Sequence, residues 1–296
     1  MKLIKPSFEI WEQPTGLEGA YKQIEKVGRV CYKSEDKITE DSARPFVHRM
    51  IKSGHGAMLE HGTVYLFCPT EEYVDSNGDV QYYNPLEKYQ NNNYSALVDS
   101  NEGIYVTTNL RVLVENGWMG DLQYLCEPTE FHEKRVTVHF VCDRGVSHEF
   151  VRHRVMSFAQ ESTRYCNYSK DKFDNQITFI QPSWIILDKE IDSINELCLL
   201  AGQYDRENPN LRYLASLVDA NYTYILLLNK GWTPQQARAV LPNSLKTELI
   251  VTGFTSDWNH FFDLRARGTT GAPHPQAKEL AEPLMKEFIV RKYINN

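Results

Sequence analysis

Arg152, His153 and Arg154 are consecutive, and after seven further residues Ser162 opens the run Ser162-Thr-Arg-Tyr165. On a helix, three consecutive side chains fan out at about 100° intervals, so such a triplet cannot serve one exposed salt-bridge face. At least one member is expected to point inward. Cations near a helix C-terminus also offset the helix dipole by ~0.3–1 kcal/mol, a role that would suffice if the triplet stood alone. Further arginines sit in apolar company: Arg238 beside Ala237, Ala239 and Val240, and Arg265 within Phe261-Phe-Asp-Leu-Arg-Ala266. Burying a guanidinium is costly unless an anionic group meets it. Its planar fork of donors suits phosphates and carbonyl-bearing heterocycles. A bound nucleotide would satisfy several of these groups together.

The elements that must position these side chains are read from hydrophobic spacing. Residues 8–12 and 28–32 have the look of short strands, and Phe46, Val47, Met50 and Ile51 share one face of a helix within 39–53, stopped by Gly54. Residues 63–68 and 136–142 are β-branched and aromatic, as strands are. Between them, 69–103 carries Asp75-Ser-Asn-Gly-Asp79 and the run Asn91–Asn93, which suits an excursion or hairpin better than core. A helix capped by Ser147 is expected to run to about Phe158 and to carry the triplet. Leu214, Leu217, Val218, Ile225 and Leu226 mark a long helix ending near Gly231. Thr233-Pro-Gln-Gln236 has the form of a capping box with proline at the first helical position, opening a short helix that carries Arg238 and ends before Pro242. A helix from Ser256 carries His260 and Arg265. The last helix spans about 275–293, with Leu280, Leu284 and Phe288 inward. These elements imply an α+β fold: a central, mostly antiparallel sheet flanked by helices. A single domain over 1–296 is expected, with an inserted excursion at about 69–135.

Composition limits the function classes. The 296 residues, 42% hydrophobic and 24% charged, can bury a sizeable core. A formal charge of -7 argues against a nucleic-acid partner gripped by bulk phosphate attraction. Neither a membrane span nor a signal peptide is apparent, so no membrane partner and a cytoplasmic location are expected. The six cysteines lack any Cys-x-x-Cys pair and read as reduced, buried thiols. His55, His61, His139, His148 and His153 lack the i, i+4 arrangement with a carboxylate that zinc enzymes use, so no metal is expected.

The pattern Arg-His-Arg, seven residues, Ser, here RHRVMSFAQES with the extension TRY, resembles the signature motif of the flavin-dependent thymidylate synthases. Gly54-His55, Glu60-His61, the run 146–151, Ala237-Arg-Ala-Val-Leu-Pro242, Trp258-x-His260-Phe261, Leu264-Arg-Ala266 and His274-Pro-Gln276 are similar to the family's other segments and follow its order. The resemblance covers about 25–68, 136–168 and 230–290. It also leaves Thr107-Thr-Asn-Leu-Arg111 as a helix start near the site.

This resemblance implies reductive methylation of dUMP to dTMP, with FAD bound and NADPH and methylenetetrahydrofolate as co-substrates. It implies dUMP contacts by Glu149, Arg152, Gln160, Glu161, Ser162, Thr163, Arg164, Arg238 and Arg265. Arg164 would take the phosphate, and Arg265, as catalytic residue, would promote ionisation at N3. FAD would meet Arg152, His153, Arg154, Gln160 and His260, with His55 and Glu60 supplied by a neighbouring subunit of a homotetramer. Ala57, Cys31, Phe254 and Ser256 depart from the commonest pattern on the flavin side.

Such chemistry needs a one-carbon donor and a hydride, which side chains do not supply. Ser162 has no Gly-x-Ser-x-Gly elbow and no neutral base beside it, so it reads as orienting a ligand rather than attacking one. Cys166 reads as packing. Two alternatives remain open at this stage: a flavoprotein methylating uracil in RNA, and a regulator that binds nucleotides without catalysis.

Overall fold

The computed structural model of the chain describes residues 1–170, 173, 176–186 and 208–295. Its strands are β1 (Lys2–Ile4), β2 (Ser7–Trp11), β3 (Thr63–Pro69), β4 (Glu71–Val74), β5 (Val80–Tyr83), β6 (Ala96–Ser100), β7 (Gly103–Asn109), β8 (Arg135–Asp143), β9 (Ser157–Gln160), β10 (Thr178–Ile180) and β11 (Lys246–Phe254). The central sheet has the order β2-β8-β11-β9 and is antiparallel throughout. Strand β8 lies opposite β11 from Asp143↔Lys246 to Arg135↔Phe254.

Because strand side chains alternate between faces, Val136, Val138 and Phe140 enter one core with Leu249 and Val251. The helices Thr255–Phe262 and Pro275–Val290 close that core with Trp258, Phe261, Leu280, Leu284 and Phe288. Each such fully buried side chain contributes roughly 1.5–3 kcal/mol. The other face takes the helix Gly16–Tyr32 through Val27, Val30 and Cys31, packed on Trp11, Ala159 and Ile250. The expectation of a mostly antiparallel sheet between helices is met, with the parallel pair β1 and β10 as the exception.

A second antiparallel sheet, β3-β7-β6, packs Val64, Leu66, Ile104 and Val106 over Leu86 and Tyr89. Within 69–103 the chain forms the hairpin β4–β5, all eight of whose strand residues are exposed. Its turn is closed by Asp75, which accepts from the backbone N–H of Asn77 at 2.8 Å and of Asp79 at 3.1 Å. Gly54 ends the helix Ala43–Ser53 at φ 71°, a conformation that suits a residue without Cβ. The cysteines among the described residues are free, and Cys198 lies outside that range. No helix among the described residues is long and apolar enough to cross a membrane.

Two elements differ from the sequence reading. Residues 28–32 end the helix Gly16–Tyr32 and are not a strand. Val30, Cys31 and Tyr32 mimic a strand locally, whereas Ala20, Ile24, Val27 and Cys31 repeat at helical spacing over a longer window. The helix expected from Ser147 to Phe158 is instead Arg144–Phe150, capped by Asp143, whose carboxylate accepts from Val146 N at 2.8 Å. Beyond it the chain turns and joins β11 as β9, with Phe158 opposite Val251. Ladder hydrogen bonds along β11 replace the helical ones that 157–160 would otherwise make.

Candidate active site

The early end of the Arg144–Phe150 helix places Arg152, His153 and Arg154 in the turn after it, so the triplet fans out from a loop and not from a helix. His153 is buried, while Arg152 and Arg154 are exposed. Thr255–Phe262 continues into a π-helical turn, Asp263–Arg267, of the kind often found at functional sites. That turn brings Arg265 to the Arg144–Phe150 helix. Its Nη1 donates to Glu149 Oε2 at 2.7 Å, its Nη2 to the Glu149 carbonyl at 2.8 Å, and its Nε to His153 Nε2 at 3.3 Å. Burial, then the charges of Arg265 and His260, lower the His153 pKa to about 4, so the ring is neutral near pH 7 and can accept that hydrogen bond. The rings of His153 and His260 lie 5.9 Å apart, His260 being exposed.

A second cluster forms where β9 ends. Gln160 donates from Nε2 to Ser147 Oγ at 2.8 Å and to Thr247 Oγ1 at 3.2 Å. Ser147 is therefore an interior anchor of the helix, its hydroxyl donating to the Arg144 carbonyl at 2.9 Å. Arg238 Nη1 donates to Thr163 Oγ1 at 2.9 Å, and Arg164 Nε to Gln235 Oε1 at 3.3 Å. The capping box that sequence predicted at Thr233–Gln236 thus fixes a turn facing the 162–164 loop. Ser162 is half-buried, and its backbone N–H donates to the Cys31 carbonyl at 3.0 Å. Glu161 is 2% exposed, and its carboxylate faces Lys246 at 2.9 Å.

His55 and Glu60 form a third group. His55 is exposed ahead of the short helix Gly56–Leu59, and Glu60 pairs with Arg111, which also holds Glu115 at 2.7 Å. Arg111 follows Asn109, whose side chain caps Leu110–Glu115. The buried Arg135 links this group to β9, donating to the Glu60 carbonyl at 3.0 Å and to Ser157 Oγ at 3.4 Å.

Within one chain, then, Glu149, His153, Arg265 and His260 come together, and so do Gln160, Thr163, Arg164 and Arg238. Ser147 and Glu149, two residues apart on one helix, anchor these two clusters on diverging faces. His55 and Glu60 stand with Arg111. The sequence reading misses Thr247 and Lys246, and it takes Ser147 as a helix cap, Gln235 as part of a capping box and Arg111 as part of a helix start near the site, without their partners. The alternation Lys246-x-Glu248 on a strand was a signal that two charges share one face.

An α+β scaffold presents arginines from three separated segments, Arg164, Arg238 and Arg265, to the ends of β9 and the Arg144–Phe150 helix, a donor set whose chemistry suits an anionic, hydrogen-bonding ligand. The chain belongs to the thymidylate synthase complementing protein (Thy1) family, whose profile matches residues 123–291. It is 24% identical over 278 residues to a flavin-dependent thymidylate synthase of Corynebacterium aurimucosum, covering 93% of this chain and 78% of that one. It is 36% identical over 124 residues to the enzyme of that name from Mycolicibacterium vanbaalenii, covering 42% of this chain and 46% of the relative. For that of Pyrococcus furiosus the identity is 31% over 124 residues, 42% of this chain and 43% of the relative. The matches to the last two therefore span under half of their length. Among solved structures, a UMP/dUMP methylase, PolB of Streptomyces cacaoi, aligns over 98% of this chain and 93% of its own at 17% identity, with a TM-score of 0.43.

Proposed function

We propose that the chain is a flavin-dependent thymidylate synthase that methylates dUMP to dTMP, using FAD, methylenetetrahydrofolate and NADPH. The observation that carries this reading is the clamp on Arg265 by Glu149 and a neutral His153, in a chain of this family. Three of its N–H groups are committed to the protein, which fixes the plane of the guanidinium and leaves the remaining donors for a ligand. Facing the N3 and carbonyl edge of uracil, a fork held in that way stabilises the negative charge that makes C5 nucleophilic. Arg164 and Arg238, drawn to either side of Thr163 and Gln235, take the phosphate. Gln160, Ser162 and Thr163 orient the nucleotide. Glu161 contributes through its backbone, because its carboxylate is engaged with Lys246.

The residues present fit a flavin dinucleotide: Arg152 and Arg154 are exposed, and among the described residues neither pairs with a carboxylate, the donor set that a diphosphate takes. His153 and His260 stand beside them. Bound there, FAD would supply the hydride passed from NADPH to the one-carbon unit. In this reading a neighbouring copy brings His55 and Glu60 to complete the site, and the working form is a cytoplasmic homotetramer.

The test is the absorption spectrum of the purified chain, followed by incubation with dUMP, methylenetetrahydrofolate and NADPH. Bound flavin and dTMP formation are expected. A colourless protein that forms no dTMP even with added FAD, or one that methylates uracil only within RNA, would sink this reading.

A further inference from the structure

Behind the loop that follows β9 lies a cluster of charges to which the reading above gives no role beyond the backbone of Glu161. Lys246 Nζ is 2.9 Å from Glu161 Oε2 and 2.5 Å from Glu248 Oε1. Lys33, at the end of the Gly16–Tyr32 helix, pairs with the same Glu248 oxygen, and His139 Nε2 lies 2.9 Å from the other. Tyr168 OH donates to Glu161 Oε1 at 3.4 Å. The side chains of Lys246, Glu161 and Glu248 are 16%, 1% and 13% exposed. Burial alone would raise the Glu248 carboxyl, but His139 and the two lysines outweigh it and hold the group well below the usual carboxylate range.

Holding the sheet together does not require this cluster, because β11 already pairs with both β8 and β9 along its backbone. What the cluster adds is a grip on Glu161, the residue between Gln160 and Ser162. The backbone N–H of Glu161 donates to the Glu248 carbonyl at 2.9 Å, and that of Ser162 to the Cys31 carbonyl at 3.0 Å. With its carboxylate pinned on the inner side by Lys246, Glu161 fixes the direction in which the chain leaves the sheet. That direction sets where Ser162, Thr163 and Arg164 face Gln235 and Arg238.

We propose that Lys246 is a positioning residue for nucleotide binding, acting through its ion pair with Glu161 to set the pose of residues 160–164. The inference rests on the reading that this loop holds dUMP. A buried ion pair gives directional specificity at a desolvation cost that packed apolar groups would avoid, so its presence behind this loop is accounted for by orientation.

The test uses the flavin-loaded protein. Lys246→Met is expected to raise KM for dUMP by about tenfold while kcat at saturating dUMP stays within about threefold, the signature of lost binding. Flavin content and the apparent affinity for NADPH are expected to match the wild type. Lys246→Arg, which keeps the charge and can reach both glutamates, is expected to restore KM to within about threefold. A loss of stability without a change in KM would be the result of a purely structural role, and it overturns the proposal. If Lys246→Met does not fold, Lys246→Met/Glu161→Gln removes the pair without leaving a charge buried alone. The same rise in KM is expected of it, and an unchanged KM again overturns the proposal. Turnover of dUMP by the wild type is scored separately: its absence defeats the function proposed above and this inference with it, whereas normal turnover with an unaltered variant KM defeats this inference alone.

Discussion

Replacing Arg265 by lysine separates charge from geometry at the residue on which the proposed chemistry depends. The guanidinium makes three contacts, at 2.7 Å to Glu149 Oε2, 2.8 Å to the Glu149 carbonyl and 3.3 Å to His153 Nε2. A lysine ammonium has a single nitrogen and can keep the ion pair while leaving the carbonyl and the ring without their donor. Two hydrogen bonds from a charged donor, of about 1.5–3 kcal/mol each, are then lost from the folded state. The effect on rate is separate from that loss. Removing one preorganised donor to developing charge lowers kcat by about 10²–10³, or ~2.7–4 kcal/mol, and lysine also lacks the paired donors that would meet the uracil edge. Stopped-flow measurement of flavin reduction by NADPH, alongside dTMP formation by the same variant, isolates the step. Flavin reduction should stay near the wild-type rate because it does not need an ionised uracil. Wild-type dTMP formation by Arg265→Lys would refute the reasoning and leave Arg265 a structural arginine.

Arg164→Ala should weaken dUMP binding by ~1.5–3 kcal/mol, the range for charge-assisted hydrogen bonds, with flavin retained; unchanged affinity by calorimetry excludes a phosphate role. Ser162→Ala should keep measurable turnover, and a nucleotide adduct trapped on wild-type Ser162 together with an inert variant would reverse that assignment. His153 has its pKa lowered to about 4 in the fold, against about 6.5 for an unperturbed histidine. Its contribution to stability is therefore fully present above about pH 6.5 and is lost as pH falls through about 4, on the order of 2 kcal/mol by pH 5. Urea unfolding of wild type and His153→Gln at pH 7 and pH 5 reads this difference, and an NMR titration placing His153 near 6.5 would contradict it.

The parts of the fold visible in the sequence are those whose information is local. Strand β8 is legible in the β-branched and aromatic run 136–142, and Thr233–Gln236 carries its capping box in four residues, whereas β11, broken by Glu248 and Gly253, was not read as a strand. The Arg144–Phe150 helix was legible in existence but not in extent, because Phe150, Val151, Val155 and Met156 keep helical spacing across a turn that is imposed by β11, a strand about ninety residues away. Arg265 could be suspected from its apolar neighbours. Its partner Glu149 could not, since 116 residues separate them, and no local pattern encodes such a contact. The same holds for Lys33 and Glu248, which are 215 residues apart. Arg111 was noticed only as a helix start, and its pairing with Glu60 depends on β3 and β7 lying side by side.

The hairpin β4–β5 is joined to the body of the protein through a narrow neck. Asn84, 2% exposed, donates to the Cys68 carbonyl at 2.8 Å and to Thr70 Oγ1 at 3.3 Å, and its own side-chain oxygen accepts from Leu86 N at 3.0 Å. This one asparagine clasps the two chain ends where the excursion leaves and returns. Length beyond the clasp is thermodynamically inexpensive, because each doubling of a closed loop adds only about 0.6 kcal/mol of ordering entropy. A lineage carrying the clasp can therefore lengthen, shorten or decorate what lies beyond it while the sheet below keeps its register. The Asp75–Asp79 tip is thus a place where a probe or a tether could be grafted without the core registering the change.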